Sequence, residues 1–169
     1  MAKSTFSGPV KSLAGFISAG VNNSVSLTAD TTLTVDTHAG KILLCNDADG
    51  KFTLPSIVST TPSDPTDPNQ TNNIGATFHF YIETAATDLD IKTDGTDKFF
   101  GAILIAVDDG AKKAFVPAAS NDVITMNGST KGGIVGSIVS FTAIDTATYL
   151  VNSSLLIGSG TIVTPYADA

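Results

Sequence analysis

The chain has 169 residues, 16 acidic and nine basic side chains, a net charge of −7 at pH 7, and no arginine among the basic residues. That length suffices for one sizeable core. The missing arginine and the negative balance argue against a nucleic-acid binder, because base-edge and phosphate contacts rest on arginine forks and positive charge. The single cysteine, Cys45, excludes an internal disulfide framework and a four-cysteine zinc site. No apolar stretch reaches the length of a membrane span, and the N-terminus has no continuous apolar segment, so neither a membrane role nor a secretory leader is expected. Asp, Thr, Gly, Ser and Asn are plentiful, while Glu83 is the one glutamate. These are turn and strand residues, and the composition predicts an all-β chain.

Residues 1–23 differ in character from the rest of the chain. Gly8-Pro9, Gly15 and Gly20 punctuate them, and Phe6, Val10, Leu13, Phe16 and Ile17 show no clean period. A tail meant to stay in water should not carry two phenylalanines and three aliphatic side chains, so the segment reads as an extended N-terminal arm that lies on a partner or on a neighbouring copy. Residues 24–169 read as one β-sandwich domain. Strand grammar begins at Val25 and Leu27. Residues 31–36 alternate Leu33 and Val35 against threonine and aspartate, the pattern of a half-buried strand. His38-Ala39-Gly40 breaks the run, and Gly40 supplies a positive φ for a reversal. Residues 41–46 (KILLCN) form a second strand, Asp47-Ala48-Asp49-Gly50 a turn, and residues 51–54 a third strand that Pro55 ends.

Residues 56–73 contain three prolines, Pro62, Pro65 and Pro68, and almost no apolar side chain. They predict a surface loop, and the prolines are candidate partner-binding positions. Residues 76–83 (ATFHFYIE) make the clearest strand, with Phe78, Phe80 and Ile82 on the core side. Next come a short strand at Leu89 and Ile91, a long apolar run over residues 99–107, and brief strands at 114–116 and 122–126. An alternating strand at 136–144, a return strand at 148–152 and closing segments at 155–157 and 161–164 complete the chain. Ten to twelve short strands separated by turn signals predict an antiparallel β-sandwich or jelly-roll-like domain. No strong repeat is visible, which argues against a solenoid.

Candidate chemistry is sparse. His38 lies in a turn and His79 on the outer side of a strand, and no Gly-x-Ser-x-Gly elbow accompanies them. The Asp47–Gly50 turn starts like a calcium loop, but Val58 stands where a bidentate glutamate is required. The paired aspartates at 94/97 and 108/109 are turn residues first. Gly132-Gly133-Ile134-Val135-Gly136 leads into a strand, whereas phosphate-binding glycine loops lead into a helix. Without tryptophan, aromatic platforms for sugars are few. No catalytic, cofactor or metal residue is expected, and the chain is not read as an enzyme or as a binder of small-molecule substrates.

Residues 32–55 (TLTVDTHAGKILLCNDADGKFTLP) and 75–101 (GATFHFYIETAATDLDIKTDGTDKFFG) resemble a segment of many tailed-phage virion proteins. The likeness lies in the Thr-Leu-Thr opening, the Thr-Leu-Pro close, and the aromatic strand and Asp-Gly turn beyond them. Residues 136–168 are similar to the C-terminal close of such proteins, which commonly carries Trp where this chain has Tyr149 and Phe where it has Tyr166. The resemblance implies a virion structural protein of the capsid decoration (cement) type. Such a protein is expected to be a homotrimer on the outer capsid surface, assembled in the host cytoplasm, with the major capsid protein as its partner. A tail, tail-fibre or glycan-receptor-binding virion protein is the alternative. The resemblance brings no catalytic residues.

Overall fold

The computed structural model describes residues 23–59, 72–108, 110 and 112–169. It is a two-sheet sandwich. The strands are β1 (Ser24–Leu27), β2 (Thr31–Thr32), β3 (Ile42–Cys45), β4 (Lys51–Thr53), β5 (Thr77–Ile82), β6 (Leu89–Lys92), β7 (Lys98–Gly101), β8 (Ile103–Ala106), β9 (Lys112–Phe115), β10 (Val123–Met126), β11 (Ile138–Ala143), β12 (Thr148–Ile157) and β13 (Tyr166–Ala167). One turn of helix, α1 (Val35–His38), lies between β2 and β3. The larger sheet has the order β1-β3-β5-β11-β12-β8-β9, with β7 also paired to β12; the smaller has the order β13-β10-β6-β4-β2.

The all-β sandwich is as expected, but the sheets are mixed. Up to β6 the chain alternates between them. β1, β3 and β5 pair in parallel in the large sheet, and β2, β4 and β6 pair in parallel in the small one. Parallel neighbours need a crossover, and here each crossover is a strand of the opposite sheet. This half therefore winds like a two-sided coil, although the absence of a sequence repeat argued against one. The winding leaves no fixed repeat because the coils differ in length: the second carries the Pro-rich insertion. The second half is mainly antiparallel, with β11 between β5 and β12 and β10 between β6 and β13.

Three local expectations change with the topology. Residues 31–36 are not one strand: β2 ends at Thr32, Leu33 is buried, and Val35 begins α1. The helical turn carries the chain from the small sheet to the large one, and the His38 imidazole Nδ1 accepts the Thr34 amide at 2.9 Å. The apolar run 99–107 is broken at Gly101 into β7 and β8, which lie along the same edge of β12. Residues 161–164 form no strand. The return strand is instead one ten-residue β12, and β13 closes the small sheet. Gly40 does take a positive φ, 70°.

The core lies between the sheets. Phe52 of the small sheet stacks on Phe80 of the large one at 6.3 Å, Phe80 meets Phe141 edge-on at 5.7 Å, and Phe99 lies 5.1 Å from Phe141. Burying aromatic faces of this size supplies much of the hydrophobic stabilisation. Cys45 is wholly buried in this core, and burial pushes its thiol up to about 12. Among the described residues no helix is long and apolar enough to cross a membrane.

Candidate interaction surface

The contact residues expected from sequence (Phe6, Val10, Leu13, Phe16, Ile17, Pro62, Pro65 and Pro68) all lie outside the described residues. The two ends of the Pro-rich loop are described, and they are clasped. Asn73 is buried; its Oδ1 accepts the Val58 amide at 2.7 Å and its Nδ2 donates to the Ser56 carbonyl at 2.9 Å. The Asp97 carboxylate accepts the Ile57 amide at 2.9 Å, and the Ser56 hydroxyl donates to Asp94 at 2.6 Å. The Tyr149 hydroxyl donates to the Pro55 carbonyl at 2.6 Å, while its ring meets Phe78 edge-on. These bonds fix the described residues on either side of 60–71 to the sandwich. Burial alone would raise the Asp94 carboxyl. The hydroxyls of Ser56 and Thr96 and the amides of Asp97 and Thr96 outweigh it and hold the group at about 2. Burial raises neighbouring Asp97, the Ile57 amide opposes this, and the charges of Asp94 and Asp145 add to the rise.

The reactive side chains are dispersed. Burial lowers His38, with the Thr34 backbone opposing and Lys41 reinforcing, so its ring serves as a neutral acceptor for the turn. His79 Nδ1 lies 2.9 Å from Ser140 Oγ. This is a serine–histidine pair, but its neighbours in the sheet are Ile42, Tyr81, Ile138 and Ser153, none of them an acid that could orient the imidazole. Among the described residues no group of three or more His, Cys, Asp or Glu side chains gathers to hold a metal ion. The Lys98 ammonium reaches the largely buried Asp122 carboxylate at 2.6 Å, and the Ala169 amide donates to the other oxygen, which ties β7 to the start of β10.

The larger surface feature is the outer face of the eight-stranded sheet. Strand alternation sends Phe78, Phe80, Ile82, Val139 and Phe141 inward, so their neighbours point out. Register then aligns Leu44, Tyr81, Ile138, Leu155 and Leu104 across five neighbouring strands. A bulge between Ser140 and Phe141 in the β11–β12 pairing keeps Leu155 in this row. Ile42, Leu104, Ile138 and Leu155 are all exposed. A parallel row, Thr77–Thr142–Leu150, ends at Phe100, which is 64 % exposed. Phe100 also lines an apolar groove of about 610 Å³ whose other wall is Val116, Pro117, Ala118 and Ala119. Sequence alone pointed to the arm and the loop as contact elements and missed this face. The signal was the run of consecutive apolar residues in KILLCN, FFGAILIAV and LLI, where a strand with one wet face should alternate.

Comparison with protein-family models, curated proteins and solved structures found no match to this chain.

Proposed function

We propose that the chain is a structural protein of a tailed-phage virion, a capsid decoration (cement) protein that binds the outer surface of the major capsid protein lattice and stabilises the shell. The observation that carries this reading is the outer face of the large sheet: a stiff sandwich with an unpartnered apolar face suits a subunit of an assembly. The resemblance of residues 32–55 and 75–101 to virion proteins supplies the kind of assembly. The mechanism is mechanical. The sandwich is the rigid body, and residues 1–23 and the Pro-rich loop on its clasped base reach the capsid subunits. Copies associate as a homotrimer, and repetition on a symmetric lattice turns weak single contacts into strong ones. The charge of −7 keeps the outside of the particle soluble and indifferent to released genome.

Quantitative mass spectrometry of purified particles tests the reading. A copy number close to that of the major capsid protein is expected. A handful of copies per particle would move the protein to the tail or fibre, and its absence from particles would overturn the proposal.

A further inference from the structure

We propose that the outer face of the eight-stranded sheet is where copies of this chain meet one another. The inference deepens the homotrimer of the preceding reading by assigning its contact surface. It does not need the particle to be a capsid.

Three observations carry it. First, β1, β3, β5, β11, β12 and β8 contain no Asp, Glu or Lys on either face. The outer side of the small sheet, by contrast, carries Lys51, Asp90 and Lys92, with Lys51 bridging Asp88 and Asp90 at 3.0 Å each. In a chain of charge −7, two copies repel over most of their surface. Lys112 on β9 and Glu83 just beyond the end of β5 put single charges at the rim of this face, and its six uncharged strands are the broad surface on which copies meet. A basic partner would be drawn to the acidic surfaces and gain nothing from this one.

Second, the face repeats its own chemistry. On one side of the in-register apolar row stand polar side chains, Ser140 beside His79 and Thr142 beside Asn152, and on the other the Asn46 amide donates to Glu83 at 2.6 Å. Copies turned about a three-fold axis bring the apolar rows of three faces together at that axis. Third, the size fits. Six strands about 4.8 Å apart and about five residues tall span an area on the order of 500 Å² in projection. That is the scale of the ~800 Å² that each partner gives to a standard interface. Consecutive apolar residues in strands are the mark of sheets covered on both sides. The small sheet covers one side, and the neighbouring copies cover the other.

The test is the mass of the full-length protein in solution, by sedimentation velocity and light scattering. Wild type is expected to be an oligomer at micromolar concentration. Ile138→Asp, at the centre of the row, should be monomeric, with a dissociation constant raised at least ~100-fold because a carboxylate is buried without a partner. Ser153→Glu replaces a side chain that is already polar and exposed, so it keeps the test valid if Ile138→Asp fails to fold. It too should dissociate the oligomer. Thr53→Asp, on the opposite side of the sandwich, should leave the oligomer intact. A monomeric wild type overturns the inference, and so does an oligomer that survives Ser153→Glu. If wild type is monomeric but a chain lacking residues 2–20 associates, the chain's own N-terminal segment occupies the face. If wild type is monomeric and Ser153→Glu abolishes particle binding, a capsid subunit occupies it. Either result overturns self-association and leaves the virion reading to be judged by copy number.

Discussion

Replacing Gly101 by alanine probes the point where one apolar run becomes two strands. Gly101 has a φ of 107°, a backbone conformation that side-chain-bearing residues avoid. A Cβ there would lie 2.5 Å from the Val151 carbonyl oxygen and 3.3 Å from a methyl carbon of Leu150. Val151 is held in β12 between β11 and β7, so its carbonyl moves only if the ladder moves. The backbone conformation alone costs about 1–3 kcal/mol. Adding a contact that only main-chain displacement relieves brings the total to about 3–5 kcal/mol, the range reserved for exceptional single substitutions. Gly95→Ala is the internal control: its φ is 93°, and nothing lies within 4 Å of the new carbon. It carries the conformational cost without the clash. Urea unfolding with a slope of about 2 kcal/mol/M should lower the midpoint by ~1.5–2.5 M for Gly101→Ala, and by clearly less for Gly95→Ala. Equal shifts for the two variants, or a wild-type midpoint for Gly101→Ala, would refute the claim that close approach to β12 is what requires glycine.

Two tyrosines separate a hydroxyl that is used from one that is not. Tyr149→Phe removes the donor to Pro55 and should cost about 1–2 kcal/mol, read by calorimetry as a melting temperature lower by several degrees. Tyr166→Phe removes a buried hydroxyl that finds no partner among the described residues, and should be neutral or stabilising; a loss as large as that of Tyr149→Phe would contradict this. The Cys45 thiol, pushed up by burial, should resist a thiol reagent at pH 8 in the folded protein and react at once in denaturant; rapid labelling of the native state would show the core to be open. Acid should destabilise the loop base. Asp94, held at about 2, stabilises the fold above its unfolded value of ~3.9, and that contribution is lost as pH falls from there towards 2. The group is exposed, so screening limits the effect to about 1 kcal/mol, and the raised Asp97 opposes it because its protonation relieves the fold. Asp94→Asn should flatten the fall in stability between pH 4 and pH 2, and Asp97→Asn should remove the gain in stability that protonation of Asp97 gives as pH falls towards 4.

Local chemistry was legible wherever neighbours in sequence decide it. The turn at Gly40, the stop at Pro55, the alternation of Phe78, Phe80 and Ile82 and the alternation along β11 arise from steric and pleat rules that act over a few residues. Composition alone indicated the all-β class. Neither the partner of a strand nor its direction is a local property. Residues 31–36 alternate like a strand, yet the crossing to the other sheet after Leu33 makes a helical turn of Val35 to His38, because topology outweighs propensity. The coil of β1 to β6 was hidden by the unequal length of its turns. The outer face was half legible. Apolar runs announced strands meant for burial on both sides, but not that Leu44, Tyr81, Ile138, Leu155 and Leu104 stand in one row. That row exists only because five strands distant in sequence are held in register by backbone hydrogen bonds, and because one bulge shifts β12 by a residue. Sequence determined which side chains must leave water; the tertiary fold decided which of them have done so within one chain and which still face outward.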